Sequence, residues 1–373
     1  MAPSTALFGG QLNSGPAGVR NMAFDPDGAL VVADAFALRV RRLDFAGGTT
    51  VSLIGTGLAG DRGSGGAVGG AQLVGPRGLG VDANGDIYVA DQLGQTLWRL
   101  SSADDEATQL VGNGGFCFSN DDCGDGGTGL LASTNPYDVV PDGMGGAYFA
   151  EIIARRVRHV DAGGMVSTVL GTGSPCSDPS MDDCGDGGQA LDADLFAVRQ
   201  LARFDDQLFV ATLRKVRRVD LTTGIVSTVV GDGAECAMST GCGVGGPALD
   251  ASLQGAAGIS VGPDGTLYVA DGFQIYSVDL TAVTPLWERI AGDGTQCVSS
   301  ADPCGDGGDA ASAQLDPRFI EAGPDGSVFI GNFSPSRPRV LRFESGSSTW
   351  TVTSLSTTHS STSFSGDGGL MSE

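Results

Sequence analysis

The sequence carries little positive charge. Lysine and arginine together number 21 against 44 aspartates and glutamates, the formal net charge is −23, and Lys215 is the single lysine. A field of that sign repels phosphate backbones and anionic membrane surfaces. We therefore expect no nucleic-acid partner, and the composition suits cationic partners and saline surroundings.

Long apolar runs are also missing. No stretch approaches the roughly 18 consecutive apolar residues that a membrane-spanning helix needs. The first residues, MAPSTALFGG, lack the basic and apolar regions of a signal peptide. The sequence predicts no membrane insertion, and we expect a mature chain or one that carries an added Met.

Histidine is nearly absent, since His159 and His359 are the only two in the chain. HExxH and GxSxG motifs do not occur, and neither histidine has a Cys or Ser partner by motif. Nucleophilic triad chemistry is therefore not indicated.

Glycine is abundant, with 61 residues and no G-X-Y period, while hydrophobic residues still make up 41% of the chain. This combination excludes collagen and a disordered polymer. Closed β folds and repeat architectures use this length as one unit, so we expect a single domain over residues 1–373.

Eight cysteines form four local pairs within polar loops. An even number of cysteines at short spacings is typical of disulfides in an exported protein, which predicts an extracellular, secreted or periplasmic location. Structural zinc is the alternative, but zinc sites usually show closer CxxC spacing and converging pairs. The predicted disulfides are Cys117–Cys123, Cys176–Cys184, Cys236–Cys242 and Cys297–Cys304.

A repeat of roughly sixty residues organises the chain. Each copy contains an apolar strand, a turn such as DPDG, DANG or GPDG, and an alternating strand such as DIYVAD, followed by third and fourth strands such as RRVRHVD and MVSTVLG. Four strands per copy are typical of a propeller blade. The second strands end at Asp34, Asp91, Glu151, Thr212, Asp271 and Asn332, and the predicted blades span about 17–55, 76–112, 136–171, 198–231, 256–292 and 317–356.

The repeating unit GDGG…A…L…P…G…VD…G…YVAD…RRVD…STVVGTG resembles the NHL repeat over nearly the whole chain. The resemblance implies an all-β, six-bladed β-propeller of four-stranded antiparallel blades. Blade 4 departs from the pattern with FDDQ in place of a glycine turn, and blade 2 lacks the arginine before its third strand. The family includes scaffolds, binding modules and a few enzymes, so the fold alone does not give the function.

Ring closure is predicted from the two termini. The GDGG at 366–369 opens a linking loop in other copies, and TALFGGQLNSGP near the start supplies that loop's continuation. We expect closure through a linking loop split between the termini, without a strand exchanged between them.

The mouth of the central channel is the first candidate site. We expect Arg20 to pair with Asp34 and Arg77 with Asp91, because the start of the innermost strand lies beside the end of its antiparallel neighbour. Equivalent charges in the other blades are expected to lack a partner within the blade, and they would either pair across blades or grip a polar ligand. The candidate ligand-binding residues are Tyr137, Glu151, Arg199, Asp271, Arg318 and Asn332.

Aspartate-rich loops are the second candidate site. Carboxylates beside flexible glycines suit Ca²⁺ or another divalent cation, although Asp also commonly caps backbone amides in turns. The DANGD hairpin around Asp82, Asn84 and Asp86 is better explained by a turn. The candidate metal ligands are Asp121, Asp122, Asp125, Asp182, Asp183, Asp186, Asp302 and Asp306.

Two enzyme classes are considered, one that shares this repeat and a second class of propellers. Amidating lyases with this repeat use several histidines for zinc, which this chain lacks. Lactonase-like hydrolases hold one divalent ion in the channel with Glu, Asp and Asn side chains, and Glu151, Asp271 and Asn332 match in residue type.

These observations favour an exported, monomeric and non-catalytic binding or structural module. It would recognise a protein, peptide or glycan on the disulfide-stapled loop face. A metal-dependent hydrolase or lyase with a divalent ion at the channel mouth is the alternative.

Overall fold

A computed structural model describes residues 18–44, 49–58, 66–67, 71–118, 121–180, 184–237, 241–298, 304–332, 338–344 and 348–355. It confirms the expected all-β fold, with six four-stranded antiparallel sheets arranged in a ring. The predicted closing loop, which joins 366–373 to the first residues, lies outside the described residues. Within the described ranges, no helix is long and apolar enough to cross a membrane.

Each blade is a meander whose strands pair in chain order. A two-residue strand from the preceding loop, β5, also pairs with the outer strand of blade 2. The strands are β1 Val19–Phe24, β2 Leu30–Asp34, β3 Arg39–Asp44 and β4 Thr49–Ile54 in blade 1; β5 Gly66–Ala67, β6 Pro76–Val81, β7 Ile87–Asp91, β8 Thr96–Leu100 and β9 Glu106–Val111 in blade 2; β10 Pro136–Pro141, β11 Ala147–Glu151, β12 Arg156–Val160 and β13 Val166–Leu170 in blade 3; β14 Leu201–Phe204, β15 Gln207–Ala211, β16 Val216–Asp220 and β17 Val226–Val230 in blade 4; β18 Ala256–Val261, β19 Thr266–Asp271, β20 Gln274–Asp279 and β21 Glu288–Ala291 in blade 5; and β22 Pro317–Ala322, β23 Val328–Asn332, β24 Arg339–Glu344 and β25 Thr349–Ser354 in blade 6. Short 3-10 turns at Gly129–Leu131, Ala190–Asp192, Gly241–Gly243, Ala248–Asp250 and Ala310–Ser312 lie in the linking loops.

The hairpin turns between the first two strands follow the turn chemistry in the sequence. Gly28 and Gly85 adopt positive φ in the DPDG and DANG turns, a conformation that glycine reaches without steric cost. In blade 4, Asp205 takes a positive φ of 52° in the FDDQ turn. Aspartate tolerates this left-handed conformation better than most residues, which explains how blade 4 turns without the glycine.

The core lies between neighbouring blades. The second strand of each blade is flanked by blades on both sides, and LVVAD of β2 is buried at every position. Blades 1 and 6 meet through Met22, Val32, Phe319, Phe329 and Val340, which form one apolar cluster. This packing joins the first and last blades.

Linking loops cover the outer edge of the blades that they enter. Isolated bridges join Thr128 to Met165, Gln189 to Ile225, Pro247 to Leu286 and Asp309 to Thr351. Covering the edge strand in this way removes a template for unwanted strand pairing.

Candidate functional site

A β-bulge opens the innermost strand of the blades. The pairing register skips one residue at Arg20, Arg77, Tyr137, Ala257 and Arg318. Blade 4 reaches a similar geometry, because the Arg199 N–H and the Gln200 carbonyl both bond to Ala211. Bulges re-aim side chains and are common beside functional sites. We call Arg20, Arg77, Arg199 and Arg318, together with Tyr137, the arginine rim.

Three rim side chains interact across blades 1 to 3. The Arg77 guanidinium carbon stacks 3.7 Å from the centre of the Tyr137 ring, and its Nη2 donates to the Tyr137 hydroxyl. Arg77 Nη1 also donates to Gln92 Oε1 at 3.3 Å. Burial, followed by the like charge of Arg77, lowers the pKa of Arg20. The two arginines therefore lie close enough to repel one another.

The other two rim arginines differ in their partners. Arg318 is 48% exposed and lies 3.1 Å from the carboxylate of Asp316 in the preceding loop. Arg199 is half-buried, and its Nε is buried without a hydrogen-bond partner. Across the described part of the chain, the Arg199 side chain makes no hydrogen bond or ion pair.

The acids that end the second strands do not face the rim. Glu151 is fully buried and accepts hydrogen bonds from Thr134 Oγ1 at 2.5 Å and from the Asn135 amide at 3.2 Å, with Arg158 at 3.6 Å. Asp271 accepts from the amides of Gln254 and Gly255. Burial raises the pKa of both carboxyls. Glu151 therefore has a charged partner within its blade, Arg158, contrary to expectation. The described partners of Asp271 and Arg318 lie in the loops that precede their blades.

The predicted ion pairs of blades 1 and 2 are also wrong. Asp34 lies 3.6 Å from Arg41 and accepts from the Ala37 amide. Asp91 accepts from the amides of Val74 and Gly75. The described partners of these two acids are thus Arg41 and backbone amides, and Arg20–Asp34 and Arg77–Asp91 pairs do not form among the described residues. Asn332 pairs with Pro317 through its backbone.

The aspartates of the CGDGG loops are engaged by buried arginines on the third strands. Arg158 pairs with Asp125 at 2.7 Å, Arg217 with Asp186 at 2.5 Å and Arg339 with Asp306 at 3.0 Å. The same arginines donate to loop carbonyls, including those of Cys123, Cys184 and Cys304. We call these three pairs the loop anchors. Blade 5 lacks the pair, because Val244 replaces the aspartate and Tyr276, stacked on Trp287, replaces the arginine.

Arginines engage the carboxylates of three candidate metal ligands, Asp125, Asp186 and Asp306. Asp122 accepts from the Gly124 amide at 3.1 Å, as a turn aspartate does, and Asp121 accepts from Arg156 through its backbone carbonyl. Among the residues described, no three His, Cys, Asp or Glu side chains converge as a metal site. The other candidates, Asp182, Asp183 and Asp302, lie outside the described residues.

All four predicted disulfides form, with Cα–Cα distances between 5.3 and 5.8 Å. They lie on the same face as the rim, because the linking loops lead into the innermost strands. Phe116 and Phe118 flank Cys117 and are 45% and 55% exposed, while Phe36 and Leu93 in the turns of blades 1 and 2 are 57% and 64% exposed. We call these four residues the apolar arc.

Hydrogen bonds join the innermost strands of blades 1, 3, 4 and 5 across the centre of the ring. Asn21 Nδ2 donates to Asp138 Oδ1 at 2.7 Å, the Leu201 amide donates to Asp138 Oδ2 at 2.7 Å, and the Ile259 amide donates to Gln200 Oε1 at 3.0 Å. Gly78 occupies the equivalent position of blade 2, where a Cβ would lie 2.4 Å from the Asp138 Cα. Glycine is required there because the Asp138 backbone of blade 3 packs directly against this position.

A cavity of about 510 Å³ lies at the other end of the channel, among the hairpin turns. Its wall includes Ser260 and Glu321, and the Ser260 hydroxyl donates to Glu321 Oε2 at 3.1 Å. Burial raises the pKa of Glu321 to about 8, with a further contribution from Asp138, and burial raises the pKa of Asp138 to about 7. Sequence reasoning missed these polar residues; the signal was a polar or glycine residue at the same position of otherwise apolar inner strands.

His159 plays a local role. Its Nε2 lies 2.8 Å from Asp142 Oδ2 and its ring stacks on Tyr148. His359 lies outside the described residues. The enzyme alternative therefore finds no convergent ligand or triad among the side chains that the structure describes.

Comparisons with known proteins support the fold. No family model matches the chain. The chain is 28% identical over 280 residues to Teneurin-1 from Mus musculus and 25% identical over 299 residues to Teneurin-1 from Caenorhabditis elegans, covering 68% and 72% of this chain. It spans only about a tenth of the length of these relatives, 10% and 11%.

Solved structures show the same architecture at low identity. Virginiamycin B lyase from Staphylococcus aureus superimposes with a TM-score of 0.52 at 11% identity, covering 91% of this chain and 85% of that chain. An auxiliary nutrient binding protein from Bacteroides thetaiotaomicron gives a TM-score of 0.54 at 15% identity, covering 90% and 69%. Identities this low bear on the fold and not on the activity.

Proposed function

We propose that this chain is an extracellular NHL-type propeller that acts as a non-catalytic binding module for a protein or peptide. The recognition surface is the disulfide-stapled loop face. The similarity to part of the teneurins and the four disulfides support an extracellular setting, since disulfides persist in oxidising compartments.

The observation that carries this proposal is the apolar arc beside the arginine rim. Phe36, Leu93, Phe116 and Phe118 expose between 45% and 64% of their surface on one face. Exposed aromatic residues and arginines are enriched at protein interfaces and often supply most of the binding energy. The Cys117–Cys123 disulfide closes a short loop that contains Phe118 and begins next to Phe116, and this constraint lowers the entropy lost on binding.

Selection from a random-peptide phage library on the immobilised protein tests this proposal. We expect enriched peptides whose affinity falls about tenfold or more on a Phe116→Ser/Phe118→Ser variant, because buried aromatic anchors dominate such interfaces. The matched control is Met144→Ser, since Met144 is 84% exposed in a hairpin turn at the opposite end. Failure to enrich any peptide, or an equal loss on the Met144 variant, would refute the proposal.

A further inference from the structure

We propose that the arginine rim binds the carboxylate groups of an acidic peptide segment. This inference rests on the proposed binding function and names the chemistry that the same face recognises. The rim gathers four arginines at the start of four inner strands, although the chain as a whole is strongly acidic.

The rim holds more positive charge than the protein neutralises. Arg20 and Arg199 make no side-chain hydrogen bond or ion pair among the described residues. The described polar partners of Arg77, the Tyr137 hydroxyl and the Gln92 amide, are both neutral. Only Arg318 has a carboxylate partner within the described part of the rim. Arg20 and Arg77 therefore lie near one another without a carboxylate partner among the described residues, and Arg199, at the equivalent position of blade 4, has none there either.

An arginine cannot remove its unpaired positive charge by losing a proton. Glu321, at the other end of the channel, also has no ion partner among the described residues, and a carboxyl in that position can take up a proton. A guanidinium keeps its charge at any physiological pH. A partly buried unpaired charge is unfavourable, so an anion that enters the rim gains from a site already arranged for it.

The surroundings favour a short peptide over a long polyanion. The overall charge of −23 repels an extended chain of phosphates or sulfates. The apolar arc lies on the same face and suits apolar side chains that flank an acidic residue. The planar guanidinium fork matches a carboxylate and forms paired, charge-assisted hydrogen bonds with it.

An acetate titration tests the rim without any peptide. Arginine Nε–H resonances of the full chain are followed while acetate replaces chloride at constant ionic strength. We expect a saturable shift of the rim arginine resonances. The affinity for acetate should be about tenfold weaker in Arg199→Gln and in Arg20→Gln, because each charge-assisted hydrogen bond adds to the binding free energy. The control is Arg203→Gln, which removes an exposed arginine at the hairpin end of the same inner strand. Absence of a saturable shift, or an equal loss in Arg203→Gln, would overturn the inference.

The phage selection separates this inference from the proposed function. Peptides enriched on the wild type should carry Asp or Glu beside apolar residues, and the acidic preference should disappear on Arg199→Gln. Apolar peptides without an acidic preference would refute the anion site and leave the binding function standing. If no peptide is enriched, the binding function fails, and the acetate titration still decides whether the rim holds an anion.

Discussion

The loop face contains two sets of arginines that look alike in the sequence but differ in their surroundings. Arg158, Arg217 and Arg339 of the loop anchors are buried, and each meets an aspartate and several carbonyls. Arg20 and Arg199 of the rim are half-buried and have no such partners within the described chain. The comparison teaches that an arginine with a complete set of partners holds the fold together, whereas one without partners is available to a ligand.

Removal of one partner of a loop anchor should cause the largest loss of unfolding free energy. Asp125→Ala leaves the fully buried Arg158 without its nearest carboxylate, which should cost about 3–5 kcal/mol of unfolding free energy. Urea denaturation measures this loss. Asp122→Ala in the same loop should change stability by less than about 0.5 kcal/mol. Equal effects of the two substitutions would show that the anchor does not carry the stability.

Blade 1 allows a test of whether a loop anchor also forms where the ring closes. Arg41 occupies the position of Arg158 and Arg217, and its described ion pair is with Asp34 at 3.6 Å. Asp367 in the GDGG at 366–369 lies outside the described residues, but its motif matches that of Asp125. We expect Asp367→Ala to lower stability by about 1–3 kcal/mol, as loss of a buried charged partner does. Glu373→Ala is the control, and an unchanged melting temperature in Asp367→Ala would contradict the split closing loop.

Glu321, at the hairpin end of the channel, should make the stability of the protein depend on pH, because this carboxyl can take up a proton. The folded protein holds the pKa of Glu321 at about 8, above that of the unfolded chain, so the folded state binds the proton more tightly. This contribution to stability is complete below the unfolded pKa of 4.5 and is lost as the pH rises toward 8. Glu321→Gln should raise the melting temperature by about 1–3 °C near pH 9 and leave it unchanged near pH 4. Glu288→Gln, an exposed control, should show no such difference; equal curves for wild type and Glu321→Gln would refute the shift.

Substitution of a rim arginine should have the smallest effect on the unfolding free energy. Arg199→Gln removes a charge that has no partner among the described residues, so the unfolding free energy should change by less than about 0.5 kcal/mol or rise slightly. Chemical denaturation of this variant beside Asp125→Ala gives the direct contrast between the two arginine sets. A loss as large as that of Asp125→Ala would mean that Arg199 is structural and that the comparison is mistaken.

Much of the fold can be predicted because the residues that determine the turns, strands and disulfides lie within the same repeat. The DPDG and DANG turns, the alternating YVAD strands and the paired cysteines lie within a few residues of their partners, so their outcome depends on local geometry. Even the unusual FDDQ turn of blade 4 follows from a property of aspartate.

The candidate site was predicted only in part. The sequence indicated Arg199, Arg318 and Tyr137 at the channel mouth, but it placed Glu151 and Asp271 beside them. Those acids instead bind polar groups of neighbouring loops, and strand periodicity does not reveal the bulges at which the rim arginines lie. The sequence analysis missed Asp138 of the hydrogen-bonded inner strands and Glu321 of the cavity wall because these residues come from separate blades.

Turns, strands, disulfides and the sixfold repeat are therefore local properties that can be read along the chain. The partners of each charge are not, because they depend on which backbone amides, carbonyls and side chains reach it after distant repeats meet around one axis. A shift of one residue in strand register, as at the bulges of the innermost strands, changes the direction of a side chain and therefore the groups that it can reach.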